Sequence, residues 1–188
     1  MAKSVAECRH VAKSVLDVSV LDCESVVTPN RSCGPCAACC SIFAVEVLSK
    51  PEYVRCSHRD SAGCTVYAER PEACRAYACL WLEGEFEVGQ RPDLVGLAFD
   101  LPTAIDDDPD YAGITVITGR EVRPGSADEP QAEKLILGLA WRFVVRVRLW
   151  GGETKLVGPR KLVDLVFQRV EARQAREANG EANDTDVP

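Results

Sequence analysis

The fold is decided by the stretch Cys33-Gly34-Pro35-Cys36-Ala37-Ala38-Cys39-Cys40, which opens a dense run of cysteines. The full run has the spacing C-x2-C-x2-C-C, then x15-C-x7-C, then x9-C-x4-C. Thiolates two residues apart let a short loop wrap a soft cation, and several such loops together make four-thiolate sites for zinc or an iron-sulfur cluster. The spacing therefore predicts metal ligation by eight cysteines: Cys33, Cys36, Cys39, Cys40, Cys56, Cys64, Cys74 and Cys79.

An even number of cysteines is also typical of a disulfide-stapled secreted domain. Residues Met1 to His10 lack the apolar core of a signal peptide, and no stretch approaches the roughly 18 apolar residues of a membrane span. We therefore expect the chain in the reducing cytoplasm, where clustered thiols bind metal more often than they form disulfides. Cys8 and Cys23 lie outside the cluster and are expected to be free thiols.

Composition sets the size of the fold and the classes of partner. With 188 residues, of which 46% are hydrophobic and 27% charged, the chain can bury one ordinary core beside a small metal-held module. The formal net charge is −7. Two zinc ions, each held by four thiolates, would bring the net charge to about −11. This charge disfavours binding to nucleic acid, and we expect neither nucleic acid nor a membrane as a partner.

The pattern along the chain predicts an α+β fold in which a small Cys-rich metal-binding module is joined to a mixed α/β lobe. The expected segments are an N-terminal helical segment at 1–30, the Cys-rich module at 33–82, the α+β lobe at 91–175 and a disordered tail at 176–188. In the lobe, strands are expected near 94–100, 113–118, 142–150 and 154–158, and helices near 129–141 and 160–175. Gly151-Gly152 is expected to join the last two strands as a hairpin.

Two pairs of cysteines bear on how the module divides its ligands. The side chains of Cys39 and Cys40 point in different directions in a helix or a strand, which favours either two neighbouring sites or one site that leaves one of these cysteines out. Pro71 is expected to open a helix that carries Cys74. Cys79 lies five residues further on, so both can bind one ion only if the helix ends or bends between them. Between these pairs, the alternation from Ile42 to Leu48 predicts a strand.

The cysteine string, followed by Tyr67-Ala-Glu-Arg70-Pro71-Glu-Ala-Cys74-Arg75, resembles the CxxCxxCC or YkgJ-like family. That family is described as a zinc- or iron-chelating domain, and flagellin lysine-N-methylase is a relative. The resemblance covers about residues 33–80. It implies metal binding by the same eight cysteines and leaves the activity open.

Other residues near the cysteines have two readings each. Arg70 and Arg75 flank Cys74 and either offset thiolate charge or form ordinary surface ion pairs. His58 lies close to Cys56 and either replaces a thiolate as ligand or is an exposed loop histidine.

The sequence favours a metal-binding protein over an enzyme. It has no G-x-S-x-G, H-E-x-x-H or G-x-x-x-x-G-K-[ST] motif, and eight thiolates are enough to close two sites completely. We expect two zinc ions, a structural or protein-interaction role, and a protein partner of unknown identity. The alternative is iron or a [4Fe-4S] cluster in a protein of redox or methylase-related protein-modification chemistry, because C-x2-C-x2-C also opens ferredoxin motifs.

Overall fold

The computed structural model describes residues 31–101 and 108–179, which form a mixed fold of helices with a two-stranded and a four-stranded sheet. The expected α+β class is confirmed. The helical segment expected at 1–30 lies outside the described residues. No helix in the described part of the chain is long and apolar enough to cross a membrane.

The cysteine-rich part, residues 33–82, is built from short elements. Helix α1 spans Cys39–Ile42, strands β1 and β2 span Arg59–Asp60 and Gly63–Cys64, and helix α2 spans Glu72–Ala76. Single turns of 3-10 helix lie at Glu46–Leu48 and Tyr67–Glu69. Helix α2 begins just after Pro71, as expected from the proline and the acidic first turn.

The remaining residues form the α+β lobe. In chain order its elements are α3 Pro92–Val95, β3 Leu97–Asp100, β4 Val116–Glu121, α4 Pro130–Ala140, β5 Val144–Arg148, β6 Thr154–Val157 and α5 Arg160–Ala178. The strand expected near 94–100 begins only at Leu97, because α3 precedes it, and the strand expected near 113–118 lies three residues later; the other elements lie close to the predicted ranges. Helix α5 continues past the predicted end at residue 175, because Arg173 and Glu177 pair one turn apart at 3.0 Å. The rest of the expected tail, from residue 180, lies outside the described residues.

The four-stranded sheet has the order β3-β4-β5-β6. Strands β4 and β5 are parallel and are connected through α4, whereas β3-β4 and β5-β6 are antiparallel. The β5-β6 hairpin turns at Gly151-Gly152, as predicted.

The two faces of this sheet carry different residues. One face packs Ile117, Val145 and Val147 against α4, and Leu80 from the cysteine-rich part joins this core. On the other face, α5 covers Val116 and Val144. Because strand side chains alternate, that second face also carries the charged residues Asp100, Arg120, Arg146 and Arg148. The cysteine-rich part contacts this charged region.

The strand expected from Ile42 to Leu48 is wrong. Helix α1 ends at Ile42, and the chain then makes a tight turn closed by two backbone hydrogen bonds between Val45 and Lys50, of 2.8 and 3.1 Å. Ser49 adopts a left-handed conformation with φ 48°. The apolar alternation is misleading because Val47 is not buried: it is 78% exposed.

Candidate metal centre

All eight cysteines predicted as ligands line a single cavity of about 290 Å³. The cavity lies in the cysteine-rich part, and its wall also contains Lys50, His58 and Arg70. The eight cysteines are free thiols, and none forms a disulfide with another. The structure thus brings together residues that are up to 46 positions apart in the chain.

Backbone hydrogen bonds hold the cysteine loops in place. Cys36 donates its N–H to the carbonyl of Cys33 at 2.9 Å, which closes the first C-x2-C into a tight turn. Cys56 donates to the carbonyl of Cys40, also at 2.9 Å, and so joins two segments that are separated by a long loop. Arg59 in β1 pairs with Cys64 in β2. These contacts fix the directions from which the thiols enter the cavity.

Gly63 is the point of closest approach between the β1-β2 hairpin and the first cysteine turn. A Cβ atom at this position would lie 2.8 Å from the carbonyl oxygen of Gly34, and the φ of Gly63 is +126°. Real Cβ atoms do not come so close to a backbone oxygen, and L-residues rarely adopt this φ. Only glycine therefore lets Cys64 approach the Cys33-Cys36 turn.

Electrostatic contacts divide the thiols into two sets. Cys39 interacts with the charges of Cys33 and Cys36, and the strongest thiolate neighbour of Cys79 is Cys33. We call these four residues the first set: Cys33, Cys36, Cys39 and Cys79. Cys74 interacts instead with Cys40, Cys56 and Cys64, which together with it form the second set. By this division Cys39 and Cys40 fall into different sets, and their use by two separate ions stays a prediction.

The two sets meet at Cys39 and Cys40. A hydrogen bond between their side chains is the largest cause that raises the pKa of Cys39 and lowers that of Cys40, so the thiol of Cys39 donates to the thiolate of Cys40. Arg59 and Lys50 lower the pKa of Cys40 further, against the effect of burial. Burial raises the pKa of Cys36 to about 11. In the absence of metal, Cys40 is therefore the thiol of the Cys39-Cys40 pair that ionises first.

Three cationic side chains surround the thiols. Lys50, which is 7% exposed, donates through Nζ to the carbonyls of Ser41, Phe43 and Pro51. Arg59 donates to Ser41 Oγ at 3.0 Å, and Arg70 lies over the ring of Tyr67 at 3.9 Å. The Nε atoms of Arg59 and Arg70 are buried and have no hydrogen-bond acceptor among the residues that the structure describes. Buried N–H groups normally have an acceptor, so the hydrogen bonding of these two guanidinium groups is incomplete among the described residues.

The sequence left open whether the helix that carries Cys74 ends or bends before Cys79. Helix α2 ends at Ala76, and Tyr77 is extended, so the chain does bend between the two cysteines. Their thiols nevertheless interact with different sets. Of the two flanking arginines, Arg70 lines the cavity, whereas Arg75 is exposed in the last turn of α2. His58 lines the cavity as well, which keeps open its role as a possible ligand.

Aromatic and charged residues join the centre to the sheet. Tyr77, between Cys74 and Cys79, donates to Asp100 Oδ2 at 3.4 Å. Arg120 pairs with the same oxygen at 3.3 Å and lies 4.9 Å from the ring of Phe43, which follows α1. The rings of Phe43 and Tyr77 are themselves 4.4 Å apart. Both walls of the cysteine cavity thus contact one buried ion pair on the charged face of the sheet.

The thiols line the cavity without converging on a point. Within residues 31–101 and 108–179, no group of three or more His, Cys, Asp or Glu side chains has the arrangement that would hold one metal ion. The metal ligation predicted from the spacing is therefore not tested by this geometry and stays a prediction.

Comparisons of the chain with protein-family models, with curated proteins and with solved structures found no match. The resemblance to the CxxCxxCC family consequently rests on the cysteine string and the Tyr-x-x-Arg-Pro-x-x-Cys-Arg stretch alone.

Proposed function

We propose that this chain is a metal-binding protein in which the eight cysteines hold two metal ions, with zinc as the favoured metal. The observation that carries the proposal is that all eight cysteines line one cavity as free thiols. Thiolate is the ligand that zinc and iron-sulfur centres prefer, and eight thiolates suffice for two closed four-thiolate sites. No open position would remain for a substrate, which favours a structural role over catalysis.

Features around the cavity support this fit. Metal-bound thiolates are commonly stabilised by N–H donors from a second layer of residues. The buried Nε atoms of Arg59 and Arg70 are such donors and have no acceptor in the described part of the chain. Arg59 interacts electrostatically with Cys40, whereas Arg70 interacts with Cys33 and Cys39 of the first set and with Cys74 of the second. A filled centre would supply acceptors to both.

The division into sets indicates which cysteines would share an ion. The first set, Cys33, Cys36, Cys39 and Cys79, would hold one, and the second set, Cys40, Cys56, Cys64 and Cys74, would hold the other. Bound metal would tie α1, the β1-β2 hairpin and α2 together. These elements are short, and structural zinc can supply roughly 10 kcal/mol or more of binding free energy to such a segment.

The proposal includes a compartment and a partner. Free thiols in this number fit the reducing cytoplasm. We expect the α+β lobe to meet a protein partner, and the exposed side chains of Leu137 in the last turn of α4 and of Trp141, which follows that helix, offer a contact surface. Trp141 is 85% exposed, and exposed tryptophan is enriched at protein interfaces.

Serine substitution with metal counting tests the proposal. Cys36→Ser in the first set and Cys64→Ser in the second set should each lower the metal content by about one ion per chain, since each breaks one closed site. Cys8→Ser and Cys23→Ser serve as matched controls outside the cluster and should retain both ions. If either control loses as much metal as Cys36→Ser, the assignment is wrong. A brown protein that contains equal amounts of iron and acid-labile sulfide would favour the iron-sulfur alternative over zinc.

A further inference from the structure

Lys50 is a buried cation without a counter-ion. Its side chain is almost fully enclosed, with 7% exposed. The ammonium donates only to backbone carbonyls: those of Ser41 at 3.5 Å, Pro51 at 3.0 Å and Phe43. Among the described residues it forms no ion pair with a carboxylate. A buried ammonium is costly unless it is paired with negative charge, so its position calls for an anion nearby.

Lys50 lies in the wall of the cysteine cavity, beside the second set. The charged groups that act most strongly on Lys50 are Cys56 and Cys40, followed by Cys39 and Cys74. The geometry explains this proximity. Two of the carbonyls that Lys50 contacts, those of Ser41 and Phe43, lie at the end of α1 and just after it, and the backbone N–H of Cys56 donates to the carbonyl of Cys40. Lys50 thus closes the loop that connects two members of the second set.

The charge of the centre follows from its ligands. A divalent ion with four thiolates carries a net charge of −2, whereas a site with two thiolates and two neutral histidines is neutral. Only the four-thiolate centre carries negative charge that would compensate the positive charge of a buried lysine. Arg59 adds a second positive charge on the same side, since it too interacts with Cys40.

We propose that Lys50 is the counter-ion of an anionic metal-thiolate centre formed by Cys40, Cys56, Cys64 and Cys74, and that its charge sets how tightly this centre holds its metal. The inference rests on the proposed function and extends it, because it distinguishes the two sites: the two cysteines that act most strongly on Lys50, Cys56 and Cys40, both belong to the second set. Lys50 is a positioning residue, which acts on the metal through the thiolates and does not bind it.

The test compares three variants of the full chain, purified with metal and challenged with increasing concentrations of a chelator. Lys50→Gln keeps a hydrogen-bond donor for the carbonyls but removes the charge. Lys50→Arg keeps the charge. Lys134→Gln removes a lysine charge at an exposed position of α4 and is the matched control. Zinc release is followed with a chromophoric indicator, and folding by far-ultraviolet circular dichroism.

We expect Lys50→Gln to release one of its two ions at about a 10-fold to 100-fold lower chelator concentration, the usual effect of losing a group that supports metal ligands. The second ion, as well as both ions of Lys50→Arg and Lys134→Gln, should be released as in the unchanged chain. Equal release from Lys50→Gln and the unchanged chain would overturn the inference while leaving the proposed function intact. An unchanged chain that binds no metal would overturn both.

A second comparison applies if the Lys50→Gln chain does not fold. Lys50→Arg then decides the matter alone, because it retains the charge but not the shape of the lysine. A folded Lys50→Arg chain with both ions held as in the unchanged chain supports the inference. A folded Lys50→Arg chain that releases one ion early contradicts it, since shape and not charge would then control the site.

Discussion

Replacing Gly63 by alanine should destabilise the protein and loosen the proposed metal centre. The φ of +126° at this position costs an L-residue about 1–3 kcal/mol of backbone strain. The new Cβ would also lie 2.8 Å from the carbonyl oxygen of Gly34, a backbone atom that cannot rotate away. Overpacking of this kind typically costs about 1–3 kcal/mol more. The free energy of unfolding should therefore fall by about 2–6 kcal/mol in total.

Gly152→Ala separates the two contributions. Gly152 also has a positive φ, of +90°, but a Cβ there meets nothing within 4 Å. This variant should show the backbone strain alone, about 1–3 kcal/mol. The assay is urea unfolding of both metal-loaded variants, followed by circular dichroism. If Gly63→Ala loses no more stability than Gly152→Ala, the close approach of the hairpin to the first cysteine turn does not exist in solution.

The same substitution should affect metal retention, because Gly63 lies between the two sets. The Cys33-Cys36 turn belongs to the first set and Cys64 belongs to the second. A hairpin pushed away from that turn should lower the retention of both ions during dialysis against chelator. Gly152→Ala lies in the β5-β6 turn, far from either set in the chain, and should retain both ions. Equal retention in the two variants would contradict the described packing of the module.

Three further outcomes are expected. Chelator with reductant should make residues 33–80 exchange amide hydrogens rapidly while the sheet lobe stays protected; equal protection with and without chelator would show that metal does not hold the module. Arg120→Met should cost about 3–5 kcal/mol at neutral pH, because it leaves Asp100 buried without its partner. Burial already raises the pKa of Asp100, and a buried carboxyl with a raised pKa destabilises the fold when it is ionised. The free energy lost in Arg120→Met should therefore shrink as the pH falls towards about 3.9, the pKa of an unfolded Asp. Urea unfolding at pH 5 and pH 7.5 tests this, and an equal loss at both pH values would contradict the reasoning. Trp141→Ser should change the free energy of unfolding by no more than about 0.5 kcal/mol relative to the unchanged chain, since the indole is exposed. A larger loss of stability, seen as a clear fall in the melting temperature, would mean that Trp141 is covered by other residues.

The elements of the α+β lobe could be predicted because their signals are local. Alternating apolar residues mark β4 and β5, and a glycine pair marks the hairpin between β5 and β6. The convergence of the eight cysteines on one cavity was likewise indicated by their spacing, although spacing alone could not assign them to sets. That assignment depends on the bend after α2 and on the backbone bond between Cys56 and Cys40, which are tertiary features.

The residues that the sequence did not reveal are those whose roles depend on distant contacts. Lys50 resembles an ordinary surface lysine beside Pro51, and only the fold shows that it is buried and that its ammonium donates to backbone carbonyls. Arg120 and Asp100 lie on different strands and carry no motif. A charged residue within an otherwise apolar strand was the one signal that could have pointed to this pair, because such residues are buried only when they are paired.

Elemental analysis of protein purified without oxygen tests the central claim most directly. The account predicts about two zinc ions per chain and no acid-labile sulfide, because eight thiolates divide into two closed four-thiolate sites. The absence of tightly bound metal would contradict the claim that the cavity is a metal centre. About four irons with equal acid-labile sulfide and a visible absorption shoulder would contradict the two-zinc assignment and show a single [4Fe-4S] cluster held by four of the cysteines.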